Sequence, residues 1–133
     1  MARAIKTDLV TPADTLRELL ARCEERIVNP GMGEGVPELF GWMDEIMLQW
    51  PDLEATGVDL RAERARWETL QAQTQRRGRQ LLRAWPSAQP LSALRQALAP
   101  PESHWWWWLD ERLTQARKQR SLRALAIGGT VLV

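Results

Sequence analysis

Residues 11–30 read TPADTLRELLARCEERIVNP, and this stretch decides the fold. Thr11 is a helix-capping residue, Pro12 suits the first helical position, and Asp14 completes a Thr-x-x-Asp box in which each end can bond the other's backbone N–H. Leu16, Leu19, Leu20, Cys23 and Ile27 then recur at intervals of three and four, which places them on one helical face. Asn29-Pro30-Gly31 stops the run. The spacing predicts an amphipathic helix over 12–28 that needs other helices to cover it.

The same reading extends in both directions along the chain. Leu39, Trp42, Met43, Ile46, Met47 and Trp50 form a wide apolar stripe, predicting a second helix over 37–50 that Pro51 ends. Asp59 can cap a long third helix over 59–85. Its middle, Gln71 to Gln80, carries too few apolar residues for a buried face and is expected to meet solvent or a polar partner. Leu91 to Leu98 predicts a fourth helix, closed by Pro100-Pro101, and Ser103 can cap a fifth that opens on His104 and four tryptophans. No segment alternates like a strand. The expected fold class is therefore all-α, an irregular bundle of about five helices. Residues 1–123 form a helical domain on the soluble side, and 124–133 an apolar tail that could begin a transmembrane helix. The expected core comprises Leu16, Leu20, Cys23, Leu39, Met43, Ile46, Met47, Trp50, Leu70, Leu81, Trp105 and Leu109.

Charge is divided along the chain. Residues 1–58 hold 5 basic and 11 acidic side chains, and residues 59–133 hold 13 basic and 6 acidic. Either the halves attract each other, or the basic half faces an anionic partner such as lipid headgroups or nucleic acid. The single cysteine, Cys23, excludes an internal disulfide and sits where a small buried hydrophobe belongs. Residues 1–11 lack the apolar run of a signal peptide.

Three features stand out. Trp105, Trp106, Trp107 and Trp108, read as α-helix, spread around the whole circumference, so two or three can enter a core while the rest cover loops, form an interfacial belt or dock a partner. Trp108 precedes the apolar tail by more than a dozen mostly polar residues, so a belt requires that stretch to lie flat. The second feature is a basic cluster, Arg117, Lys118, Arg120 and Arg123, followed by an uncharged run containing Leu125 and Ile127. That order is found on the cytoplasmic side of membrane helices, although ten residues cannot span a bilayer, which needs about 20. A tail folded back on the core is the other reading. The third feature is Arg76, Arg77, Arg79 and Arg83 near Trp85, an arrangement that can contact a polyanion.

The chemistry of catalysis is missing from the pattern. Asp44-Glu45 and Asp110-Glu111 are neighbours that splay apart on a helix. His104 is the only histidine and has no evident nucleophile beside it, and no spacing suits a metal or cofactor. The residues thus point to a non-enzymatic, membrane-proximal helical adaptor or regulatory domain that docks a protein partner on the cytoplasmic face of a membrane. A soluble subunit, with its Trp run and tail buried against neighbouring chains, is the alternative. A nucleic-acid-binding module using Arg76 to Arg83 is the third reading.

Overall fold

The computed structural model of the chain describes residues 11–31 and 34–131, and the surroundings of side chains through residue 123. Six α-helices and one 3-10 turn, joined by turns and loops, and no strand are found among the described residues. They are α1 (Pro12–Val28), α2 (Val36–Ala55), α3 (Arg61–Arg76), α4 (Gly78–Arg83), α5 (Leu91–Leu98), a 3-10 turn (Trp105–Trp108) and α6 (Leu109–Val131). An all-α, irregular helical bundle is the fold.

The start of α1 forms as its residues dictate. The Thr11 hydroxyl accepts the Asp14 backbone N–H at 3.2 Å, and the Asp14 carboxylate accepts the Thr11 backbone N–H at 3.1 Å. The apolar face of α1 then packs on α2 and α3. Leu16, Leu20 and Cys23 meet Leu39, Met43 and Ile46, all fully buried. Arg26 of α1 closes the turn into α2 by donating to the Gly35 carbonyl at 2.9 Å. Gly35 has a φ of 73°, a left-handed conformation that glycine adopts without strain.

Pro51 does not end the second helix, which continues to Ala55. A proline inside a helix costs about 3 kcal/mol. Here the pyrrolidine ring is exposed, while Trp50 and Leu53 on either side of it are buried. Burying two such side chains stabilises by about 1.5–3 kcal/mol each, which outweighs the break.

The long third helix is in fact two, joined with a kink at Arg77. The polar stretch 71–80 also has a buried face after all. Thr74 is fully buried, its hydroxyl donating to the Leu70 carbonyl at 2.8 Å, and Gly78 is buried against α6. Small residues thus continue the stripe begun by Trp67 and Leu70 and finished by Leu81. The core differs from expectation in its aromatics. Met47 and Trp105 are only half-buried, whereas Phe40, Trp67, Trp106 and Trp107 are buried.

The last helix is the largest correction. It runs as helix to Val131, but no helix among the described residues is long and apolar enough to cross a membrane. Its apolar part, from Ala124 on, covers about 12 Å at 1.5 Å per residue, against a hydrocarbon core of about 30 Å. A tail running into a membrane is therefore not supported. The reading of residues 1–10, and the surroundings of Leu125 and Ile127, lie outside what is described.

Candidate functional site

The tryptophan run is a 3-10 turn rather than α-helix, and this changes which rings go where. With about three residues per turn, Trp105 and Trp108 share the outer edge and are half-buried. Trp106 and Trp107 turn inward, at 0% and 1% exposure. The inner pair is held by one carboxylate. Asp44 of α2 accepts the Trp106 indole N–H at 3.0 Å and the Trp107 indole N–H at 2.9 Å. It also accepts from His104 Nδ1 at 2.7 Å, so that nitrogen carries the proton. Phe40 and Trp85 pack edge-on or tilted against Trp107 and each other, and Trp67 against Trp106. This is a satisfied, closed cluster. Trp106 and Trp107 are buried parts of the body, leaving Trp105 and Trp108 as the members of the run with an outer surface.

The outer tryptophans carry arginines. Arg112 lies 4.7 Å above the Trp105 ring, and Trp105 donates its N–H to Gln71 at 2.9 Å. Arg95 of α5 donates to the Trp107 carbonyl at 2.7 Å and to Asp110 at 2.8 Å, bracing the turn where it becomes α6.

Charge pairing separates the arginines into two groups. Arg17, Arg22, Arg26, Arg61, Arg64 and Arg66 each end in an ion pair with a carboxylate, with partners drawn from α1, α2, α3 and the loop before α3. Arg95 pairs with Asp110. In contrast, Arg76, Arg77, Arg79, Arg83, Arg112, Arg117, Lys118, Arg120 and Arg123 have no ion-pair partner among the described residues. All of these but Arg77, which is half-buried at the kink, are exposed.

The fold brings together two clusters that lie far apart in sequence. Helix α4 packs on the first turns of α6. The close approach depends on Gly78, where an added Cβ would sit 3.1 Å from Leu109 Cδ1 and 3.2 Å from Leu113 Cδ1. Between the helices lies a cleft of about 550 Å³, with Leu82 and Leu113 among its lining residues, and Arg79, Arg83 and Arg117 on its walls. Arg76 and Arg77 lie at the α3–α4 kink, outside the cleft. Arg120 and Arg123 continue the charge along α6, where every residue from Arg117 to Arg123 is exposed. Helix α6 therefore leaves the body after Ala116.

Sequence reasoning identified both basic clusters but not their meeting. It reads Asp44 only as the neighbour of Glu45 on a helix and so misses its role. The usable signal was that buried indole N–H groups need acceptors, and Asp44 stands at the border of the apolar stripe. Among the described residues no cluster of His, Cys, Asp or Glu could hold a metal ion. No family model, curated protein or solved structure matches the chain.

Proposed function

We propose that the protein is a non-enzymatic, membrane-proximal helical adaptor, held at the anionic cytoplasmic surface of a membrane by the basic face of α4 and α6. It lies on that surface rather than crossing it. One observation carries this reading: the acids pair with the arginines of α1, with those of α3 as far as Arg66 and with Arg95, and leave those from Arg76 through α4 and those of α6 without an ion-pair partner among the described residues. Each Lys or Arg near an anionic leaflet contributes about 1 kcal/mol, and clusters of four to eight suffice for docking. A helix that projects from its domain, with Leu122 exposed among arginines, is marginal in water without something to lie against. An interface supplies both the anions and the apolar boundary. The body, closed by the tryptophan cluster, remains available to a protein partner.

A nucleic-acid reading draws less support from the geometry. Trp85, the ring nearest the Arg76–Arg83 stretch in sequence, is packed against Phe40 and Trp107, which leaves it poorly placed to stack on bases.

The test is co-sedimentation of the full chain with phosphatidylserine vesicles at low and high salt. A triple variant, Arg117→Glu, Lys118→Glu, Arg120→Glu, is compared with it. Binding that falls with salt and is lost in the variant is the expected result. A chain that stays in the supernatant at low salt overturns the reading and points to the subunit alternative, in which α6 lies under a neighbouring chain.

A further inference from the structure

We infer that the cleft between α4 and α6 is a headgroup subsite that takes a phosphomonoester on a lipid, a doubly charged phosphate, in preference to diffuse negative charge. The inference rests on the docking reading and specifies the chemistry of its central contact.

Arg79 and Arg83 are four residues apart on α4 and so share a face. Arg117 reaches the same cleft from α6. Like charges at this spacing repel, and no carboxylate among the described residues pairs with any of the three. Asp110 is the one acid on the wall, and one of its oxygens is engaged elsewhere. Its Oδ1 accepts from Arg95 at 2.8 Å and from the Glu111 backbone N–H at 2.9 Å. The cleft thus carries three cations on its walls against a single carboxylate, and that carboxylate pairs with Arg95 instead.

The choice of arginine sets the ligand class. Guanidinium groups present a planar fork that binds phosphate oxygens in pairs, and two walls of such forks match the three terminal oxygens of a monoester better than the single bridging phosphate of a diester lipid. The spacing of the two helices that form the cleft is set at Gly78, which lets α4 close on Leu109 and Leu113 without a side chain between them. Apolar Leu82 and Leu113 suit the glycerol end of a lipid headgroup. The same helix that supplies Arg117 continues with Arg120 and Arg123, so a headgroup in the cleft lies beside the surface that those residues hold.

The experiment measures binding of the full chain to two vesicle sets of equal total negative charge. One contains phosphatidylserine alone, and in the other part of it is replaced by phosphatidic acid, whose headgroup is a phosphomonoester. The expected result is binding at least about tenfold tighter to the second set, the size of one charge-assisted hydrogen bond. Arg79→Lys with Arg83→Lys keeps the charge and removes the forks. It should abolish that preference, and the unfolding midpoint should stay at the wild-type value. Equal binding to both sets overturns the subsite and leaves the docking reading standing. Failure to bind either set overturns both. Titration with glycerol 3-phosphate separates lipid from a free metabolite: tight binding without vesicles, unimproved by them, overturns the lipid assignment.

Discussion

Asp44 and Trp107 lie 63 residues apart and share a two-pronged contact, the indole N–H reaching both carboxylate oxygens at 2.9 and 3.0 Å. The same carboxylate holds Trp106 and His104, so one short side chain fixes the whole turn that launches α6. Asp44→Ala leaves three buried or nearly buried donors without an acceptor. Each such orphan costs about 1–3 kcal/mol, so the variant should lose about 3 kcal/mol or more. Asp44→Asn keeps one carbonyl oxygen and should recover part of the loss. Urea unfolding followed by tryptophan fluorescence reads both. A midpoint unchanged by Asp44→Ala would show that the turn is held by packing alone.

The bundle itself was legible because helices announce themselves locally. Thr11-Pro12-Ala13-Asp14, the Leu16–Ile27 face and the Pro100-Pro101 stop need no tertiary information. The exceptions all arise from distant partners. Pro51 is tolerated because Trp50 and Leu53 find cover, and Thr74 and Gly78 count as core only because Met43, Leu109 and Leu113 come to meet them. The tryptophan turn is held by Asp44, which no periodicity links to it. The candidate site was half legible: Arg76–Arg83 and Arg117–Arg123 are conspicuous as clusters, but their convergence depends on packing across Gly78.

The α1–α2 contact should be the mainstay of stability. Leu20 and Ile46 are both fully buried in it. Truncating either to alanine removes three methyl or methylene groups and leaves a cavity, at a cost of about 2–5 kcal/mol. Chemical denaturation checks each, and a pair of near-neutral variants would mean that this layer is loosely packed.

Cys23 should be chemically silent in the folded protein. Burial pushes its thiol up to about 12, and the side chain is fully enclosed. A thiol-reactive dye at pH 8 should label the native chain only as fast as it opens, and the denatured chain within the reagent's normal time. Prompt labelling of native protein would contradict the packing of α1.

Glu63 gives the protein an acid-sensitive limb. Its side chain is buried, and Arg17, donating to Oε1 at 2.8 Å, holds its carboxyl below the usual range. The unfolded chain therefore takes up a proton at a higher pH, about 4.3, than the folded one does. Stability from this pair is fully present above that value and is lost as pH falls through the folded pKa. Glu63→Gln should lower the unfolding midpoint at pH 7, and the gap from the native protein should shrink as pH falls below about 4.3. Arg17 is solvent-accessible, so screening keeps the effect modest. A gap that stays constant through acid would remove the ion pair as its cause.

Gly78 separates the packing of the cleft from the charge within it. In Gly78→Ala the new methyl meets Leu109 and Leu113 side-chain ends at 3.1–3.2 Å, a crowding those flexible tips can relieve by small shifts. Alanine also gains about 1 kcal/mol of helix propensity over glycine, so stability should change little. Gly78→Val adds two further carbons and a β-branched side chain at the same point. Overpacking of this kind costs about 1–3 kcal/mol and forces the helices apart. All three cleft arginines remain, and so does the net charge. Binding to phosphatidylserine vesicles should therefore persist in Gly78→Val, while the preference for phosphatidic acid at equal charge should disappear. Circular dichroism confirms that the helices survive. If the valine variant keeps its headgroup preference, the spacing of α4 and α6 does not define the site, and the arginines act as an unstructured patch.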